Sequence, residues 1–155
     1  MSVELRPLRA DEFEEWFAGW SAWYAHDLEV HGRLRADGAR DKADRDMAAA
    51  FPDGFGSTGN VLLAIQDEGE RVGVIWFAQR EERGRTHAFL YSIAIDEDRR
   101  GSGLGRAAML ALEEDVRGRG LDRIELNVFG ANAVARGLYA SLGFAETFVS
   151  MGKDL

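Results

Sequence analysis

A turn rich in glycine and arginine holds the residues of this sequence best suited to bind a phosphate. Arg100-Gly101-Ser102-Gly103-Leu104-Gly105-Arg106 follows an apolar segment and opens a segment with helical spacing. Glycine lets a ligand approach the backbone closely. Amides of a first helical turn lack intrahelical partners and lie at the positive end of the helix dipole. With the two arginines as charge-assisted donors, the pattern predicts a phosphate site.

Two common phosphate-binding motifs are excluded at this turn. The segment lacks GxxxxGK[ST] and is therefore no Walker loop. Gly101-Ser102-Gly103-Leu104-Gly105 reads GxGxG instead of GxGxxG. A dinucleotide-binding fold would also place such a turn after its first strand, whereas this one follows the fourth predicted strand.

A second group of polar residues lies about 30 positions downstream. Asn132 precedes a predicted helix that carries Ala135 and Tyr139 and ends at Leu142-Gly143-Phe144. Asn132 suits the N-cap of that helix. Seven residues are almost two helical turns, so Asn132 and Tyr139 lie on nearly the same face.

Together the two segments resemble the GNAT N-acetyltransferase family. Its acetyl-CoA signature, R/Q-x-x-G-x-G/A, is matched by Arg100 to Gly105, and its second landmark, an Asn before a helix with A-x-x-x-Y and L-G-F, is matched by Asn132 to Phe144. The resemblance covers about Val61 to Leu155 well and the N-terminal helices only by order. It implies an acetyl-CoA-dependent N-acyltransferase that acetylates a primary amine of a small molecule, a peptide N-terminus or a lysine, by direct attack in a ternary complex.

The resemblance also implies roles for individual residues. Pantetheine would pair with the backbone of Ile93, Ala94 and Ile95, and an N–H near Ile95 would polarise the thioester carbonyl. The amides from about Gly101 to Arg106 would hold the pyrophosphate. Asn132 would contact the cofactor as well as cap its helix. Tyr139 would be the general acid that protonates the leaving thiolate.

The general base is less defined by the sequence. Glu125 and Asn127 share one face of a predicted strand by alternation, near where many family members place a carboxylate. An amide cannot act as a base, which leaves Glu125 or a water chain. Other candidates, each also explained as a solvated surface residue, are Tyr91, His26, Asp27, Glu29 and His31. Aromatic residues from Trp16 to Tyr24 recur at helical spacing, which favours core over an acceptor pocket, although the end near Trp23 and Tyr24 would reach the acceptor.

These residues are positioned by elements in the predicted order β-α-α-β-β-β-α-β-α-β. We expect an α+β (mixed α/β) GNAT acyl-CoA N-acyltransferase fold, with a central, mixed, mostly antiparallel sheet and helices on both faces. Asp11 and Glu14 resemble a capping box for the first helix, and a second helical stretch is expected from about Arg33 to Ala50. The last strand is expected over Phe144 to Met151, and its apolar exposed edge favours a homodimer.

Length and composition limit the remaining function classes. The 155 residues fit one domain over 1–155, and 46% hydrophobic residues suffice for a core. The net charge of −8 argues against a nucleic-acid partner and favours a cationic acceptor. The absence of cysteine excludes disulfides and thiolate metal sites, and we expect no metal. Without an apolar signal or membrane segment, a cytoplasmic enzyme is expected. The alternatives are a noncatalytic acyl-CoA-binding module and a nucleotide-binding domain of another class.

Overall fold

The computed structural model describes residues 2–155 and confirms the expected α+β fold. A five-stranded sheet has the order β1-β2-β3-β4-β5 and is antiparallel except for the β4–β5 pair. The strands are β1 Glu4–Pro7, β2 Asn60–Asp67, β3 Glu70–Glu82, β4 Arg85–Ile95 and β5 Ile124–Leu126. The α-helices are α1 Ala10–Val30, α2 Ala36–Ala50, α3 Leu104–Gly118 and α4 Ala133–Ser141. Short 3-10 turns cover Gly54–Gly56 and Glu97–Arg99.

The three central strands form a meander because both connecting turns suit tight hairpins. Glu68-Gly69 joins β2 to β3 and Arg83-Gly84 joins β3 to β4, and all four residues have positive φ. Two successive residues with φ > 0 give the turn whose twist matches the twist of antiparallel strands. The meander thus fixes the long strand β4, which carries the predicted thioester-facing segment.

Two apolar layers cover the sheet, one on each face. On one face Ile75, Phe77 and Leu90 pack against α3 through Ala108 and Leu112. On the other face α1 packs aromatic side chains onto the sheet, and the cluster also takes in Met47 of α2. Trp16 and Trp20 of the aromatic stripe are therefore core, as the spacing favours, whereas Trp23 at its end is 46% exposed. Within residues 2–155, no helix is both long and apolar enough to cross a bilayer.

Three local predictions were wrong. The first helix begins at Ala10, and Glu12, not Glu14, reaches back: its Oε2 accepts from the Arg9 backbone N–H at 2.9 Å. The second helix begins only at Ala36, because the first helix ends at Val30 and Arg33 adopts a left-handed φ of 58° between them. No strand forms over Phe144 to Met151, where the described chain runs outside the sheet.

The missing last strand leaves a C-terminal tail with exposed apolar side chains. Phe148 and Met151 are 86% and 90% exposed. The tail is held at separate points: Arg33 pairs with Asp154 at 2.9 Å, and Arg136 pairs with Glu146. Strand β5 is consequently one edge of the described sheet.

Candidate active site

A cleft of about 400 Å³ lies between the end of β4, the glycine turn and α4. It brings together residues of both sequence motifs. Its lining consists of Ile93, Ile95, Arg99, Arg100, Gly101, Gly103, Leu104, Gly105, Asn132, Val134, Ala135, Leu138 and Tyr139. A second hollow, about 520 Å³ near the β2–β3 turn, is lined by acidic side chains such as Glu4, Asp67 and Glu68, which would repel an anion.

The cleft exists because β5 is too short to cover the edge of β4. Pairing between the two strands ends at Leu90 and Leu126. Beyond Leu90, backbone groups of β4 that point away from β3 have no strand beside them. Ladder alternation identifies them as those of Ile93 and Ile95, since the Asp96 N–H donates to Val72 of β3 at 2.9 Å.

Ala94 lies between these two residues and faces the other way. It pairs with Val74, and a Cβ built on Gly73 would come within 2.2 Å of the Ala94 carbonyl oxygen. Ala94 is not among the cleft-lining residues, unlike its two neighbours. Of the three predicted backbone contacts, Ile93 and Ile95 are therefore the ones on the cleft side.

A β-bulge in β4 lies just before this segment. Trp76 pairs with Ser92 and Phe77 pairs with Leu90, so Tyr91 is an extra residue on β4. A bulge shifts the alternation of side chains along a strand. Tyr91 consequently packs with the aromatic layer under α1, whereas Ile93 packs on the opposite face.

The glycine turn adopts a backbone that only glycine enters readily. Gly101 and Gly103 have φ of 78° and 84°. The first intrahelical bond of α3 is donated by the Ala107 N–H to Gly103 at 3.1 Å. The amides of residues 104–106 precede it and are free of helical partners, which makes the turn suited to an anion.

The polar side chains around the turn differ in their roles. Arg100 lines the cleft, and its Nε donates to the Ile95 carbonyl at 3.0 Å. The Ser102 hydroxyl donates to the Arg99 carbonyl at 2.8 Å, and Arg106 donates to the Ser141 hydroxyl at 2.8 Å. Neither Ser102 nor Arg106 lines the cleft, so their side chains brace the turn, while their amides belong to the phosphate-facing segment.

On the opposite wall, Asn132 and Tyr139 both line the cleft, as the seven-residue spacing predicts. The Asn132 Oδ1 accepts from the Ala135 N–H at 3.2 Å, so Asn132 is the N-cap of α4. Tyr139 packs on Phe144, with ring centroids 5.6 Å apart. Burial raises the pKa of the Tyr139 phenol, which therefore stays protonated at neutral pH and able to donate.

Glu125 is placed apart from this group. It does not line the cleft. Its Oε1 accepts from Arg123 Nε at 2.7 Å, and its Oε2 lies 3.3 Å from His87 Nε2. The Arg123 hydrogen bond, and more weakly the nearby His87, hold the pKa of Glu125 below its usual value. A base needs the opposite shift, so these neighbours argue against the predicted role.

The same carboxylate also belongs to a group with ligand-type atoms. Donor atoms of Glu82, His87 and Glu125 lie within 4.8 Å of one another. Arg123 already occupies one Glu125 oxygen and supplies a cationic partner. The group therefore has a structural explanation as an ion-pair cluster at the start of β4.

Sequence reasoning missed two cleft residues, Val134 and Leu138. Leu138 and Ala135 are three residues apart on α4, so helical spacing from Asn132 would have found them on the cleft face. Arg99 belongs to the basic run Arg99-Arg100 and Arg106, whose place at the glycine turn favours cofactor contact over a solvated patch, and its guanidinium also pairs with Asp67 at 2.8 Å. Its position follows from the 3-10 turn before Arg100.

A model of the Acetyltransferase (GNAT) family matches residues 14–144, which include β2 to α4 and the whole cleft. The chain belongs to the GNAT acetyltransferase family. The match begins within α1, so it also extends the resemblance to the N-terminal helices.

Similar proteins share the full length of the chain. The uncharacterized N-acetyltransferases YycN and YdgE of Bacillus subtilis are 29% and 32% identical, and each alignment covers 100% of this chain and at least 99% of the relative. The crystal structure of YycN from Bacillus subtilis has a TM-score of 0.92 with this chain, at 28% identity, and the superposition covers 99% of both chains. A mycothiol acetyltransferase of Propionibacterium freudenreichii is 29% identical over 97% of this chain, which spans 45% of that protein.

Proposed function

We propose that this GNAT protein transfers the acetyl group of acetyl-CoA to a primary amine by direct attack in a ternary complex. The observation that supports this most is that one cleft joins the free amides of the glycine turn to the Tyr139 side chain. Acetyl-CoA has a pyrophosphate toward one end and a thioester at the other, so it suits a cleft with an anion site at the glycine turn and a proton donor at Tyr139.

The glycine turn and β4 would bind the two ends of acetyl-CoA. The amides of residues 101–106 and the Arg100 guanidinium bind the pyrophosphate. The backbone of Ile93 and Ile95 pairs with the pantetheine amides in the way an added strand would. Asn132 lies beside this path and contacts the cofactor while capping α4.

Chemistry would take place where β4 meets α4. The neutral amine attacks the thioester carbonyl carbon, an N–C bond forms, and a backbone N–H near Ile95 stabilises the oxyanion. The C–S bond then breaks, and Tyr139 donates its proton to the departing thiolate. The proton lost by the amine leaves through solvent or a base, a role for which Glu125 remains a prediction.

The test separates this function from a noncatalytic acyl-CoA-binding module of the same fold. Free thiol release from acetyl-CoA is measured with a panel of primary amines, alongside thermal shift with acetyl-CoA, NAD and ATP. We expect acetyl-CoA to stabilise the protein and NAD and ATP not to, and we expect thiol release that depends on the amine. Binding without release would favour the noncatalytic module, and stabilisation by NAD or ATP alone would overturn the acetyl-CoA assignment.

The residues of the cleft proposed for acetyl-CoA do not determine which amine is the acceptor. The mycothiol acetyltransferases share only one part of their length with this chain, so their printed substrate does not transfer to it directly. A cytoplasmic location stays a prediction.

A further inference from the structure

The Arg100 side chain turns back onto the edge of β4 that forms one wall of the cleft. Its Nε donates to the Ile95 carbonyl oxygen at 3.0 Å, and both residues line the cleft. The next peptide N–H, that of Asp96, donates to Val72 of β3 at 2.9 Å. Because the C=O and N–H of one planar trans peptide point in opposite directions, the Ile95 carbonyl points away from β3 and toward the cleft. Arg100 therefore occupies a backbone acceptor on the open edge of β4.

This carbonyl is one that an added strand would need. Pairing between β4 and β5 ends at Leu90 and Leu126, so among residues 2–155 no strand pairs with Ile95 on the cleft side. An N–H of an added strand would have its nitrogen about 2.9 Å from the carbonyl oxygen. The Arg100 Nε already lies at nearly that distance. The guanidinium and a pantetheine amide therefore compete for the same position beside β4.

Arg100 is held in this position by a neutral group. Its guanidinium forms no ion pair within residues 2–155 and donates to the Ile95 carbonyl. The neighbouring Arg99, in contrast, pairs with Asp67 at 2.8 Å and with Glu70 at 3.5 Å. A guanidinium binds an ionised phosphate through two parallel donors, and such bonds are about twice as strong as those between neutral groups. A pyrophosphate at the turn would therefore draw Arg100 away from the carbonyl.

The glycine turn places an anion site within reach of the Arg100 side chain. Gly101 follows Arg100 directly, and Gly101, Gly103 and Gly105 line the same cleft. The amides of residues 104–106 precede the first intrahelical bond of α3. Arg100 itself is exposed, and exposed side chains change rotamer within nanoseconds. Its side chain can thus exchange between the carbonyl and a bound phosphate.

We infer that Arg100 couples the two ends of acetyl-CoA and makes the protein selective for thioesters that carry a pyrophosphate. The inference rests on the proposed function. Without a phosphate at the glycine turn, the side chain stays on the Ile95 carbonyl and opposes the pairing of pantetheine with β4. With a pyrophosphate bound, the side chain moves to the phosphate, and the carbonyl becomes free for a pantetheine amide. Each end of the cofactor therefore favours binding of the other, and linkage makes the two effects equal.

The first experiment divides CoA into pantetheine and 3′-phospho-ADP and titrates each by calorimetry, alone and with the other present. For the wild type, we expect 3′-phospho-ADP to lower the Kd of pantetheine by about three- to tenfold, the effect of one hydrogen bond. Arg100→Ala should bind pantetheine alone about three- to tenfold more tightly than the wild type does, and the coupling should disappear. This readout does not depend on turnover.

The second experiment compares acetyl-CoA with acetyl-pantetheine as substrates for one amine. Arg100→Ala should raise the KM for acetyl-CoA by about tenfold, because a charge-assisted contact with phosphate is lost, and lower the KM for acetyl-pantetheine by about three- to tenfold. A purely structural role would raise both. Arg117→Ala removes the same charge near the far end of α3, where Arg117 pairs with Glu113 and Glu114. It is the matched control and should leave both KM values unchanged.

The outcomes separate this inference from the proposed function. Fragments that bind with coupling, but without thiol release, would support the inference and count against the transfer reaction alone. CoA binding with uncoupled fragments in the wild type would overturn the inference and leave the proposed function in place. Weaker binding of both thioesters in Arg100→Ala would also overturn it. Circular dichroism reports whether Arg100→Ala is folded, and the wild-type coupling decides the inference if that variant is not.

Discussion

Arg6 of β1 holds Glu12 of α1 through two parallel hydrogen bonds, Nη1 to Oε2 at 2.9 Å and Nη2 to Oε1 at 2.7 Å. Glu12 also accepts from the Arg9 N–H, and its side chain is only 10% exposed. The pair joins the first strand to the first helix. The Arg6 hydrogen bond, with smaller help from Arg9, lowers the pKa of Glu12 to about 2.

Loss of this pair should destabilise the fold in a pH-dependent way. A carboxylate with a lowered folded-state pKa stabilises above its unfolded pKa, near 4.5, and the stabilisation disappears as pH falls toward 2. Glu12→Gln should cost about 1 to 3 kcal/mol at neutral pH. Urea titrations at pH 7 and pH 3 measure the free energy of unfolding of the wild type and of Glu12→Gln. The difference from wild type should shrink at pH 3, and a pH-independent difference would contradict the ion-pair explanation. Glu15→Gln, in an exposed pair with Arg71, is the control and should cost under about 1 kcal/mol.

Gly105 offers a clean test of acetyl-CoA binding. A Cβ there meets only Leu138 Cδ2, at 3.8 Å, and the residue lines the cleft. Gly105→Leu should keep the fold yet remove the stabilisation by acetyl-CoA, which is about 2.7 kcal/mol at a hundredfold excess over Kd. Thermal shift measures both. Gly118→Ala, at the far end of α3 in open space, should retain the full shift. An undiminished shift in Gly105→Leu would contradict the site. Gly103→Val is less informative, because φ of 84° strains any other residue.

Tyr139→Phe should affect turnover and little else. The ring keeps its packing on Phe144, while the hydroxyl is lost. If the phenol protonates the thiolate, kcat should fall by about a hundredfold to ten-thousandfold. The KM for acetyl-CoA should change little, since the interaction belongs to the transition state. The test compares kcat and the KM for acetyl-CoA of Tyr139→Phe and the wild type, under conditions in which the chemical step is shown to be rate-limiting. An intact kcat would assign the protonation to water, and a KM increase alone would make Tyr139 a binding residue.

Glu125→Gln decides whether Glu125 is the base. Because Arg123 and His87 engage its carboxylate away from the cleft, we expect kcat to remain within about threefold of wild type. The kcat–pH profile should keep its acidic limb. A loss of about a hundredfold with that limb flattened would instead support the base assignment made from the sequence.

The C-terminal tail gives the homodimer prediction its structural test. Since no strand forms there, the expected edge-to-edge pairing loses its basis, and the exposed Phe148 and Met151 become the surface to cover. Light scattering of the wild type should show a dimer at high concentration, and Phe148→Ser with Met151→Ser should give a monomer of unchanged thermal midpoint. A wild-type monomer at all concentrations would remove the prediction without affecting the enzyme assignment.

Sequence reasoning succeeded where local chemistry decides structure. The predicted order of elements holds as far as α4, and the spacing from Asn132 to Tyr139 places both residues in one cleft. It failed where distant partners decide. The end of the first helix did carry a local signal, Gly32, which the expectation of a helix from about Arg33 overlooked. The tail after Phe144 has no sheet partner, and the contacts of Glu125 with Arg123 and His87 depend on strand register that the sequence does not give. The Tyr91 bulge appears only when the β3–β4 register is known.

The two walls of the cleft are anchored very differently. The wall formed by β4 is the last strand of the meander and pairs with β3 from Arg85 to Ile95. The wall formed by α4 follows β5, which is attached to the sheet by only three residue pairs. Local opening follows the weakest-held unit, so β5 and α4 should exchange amide hydrogens sooner than β4. One side of the cleft is therefore held rigidly and the other opens more readily, and bound acetyl-CoA should slow amide exchange in β5 and α4 more than in β4.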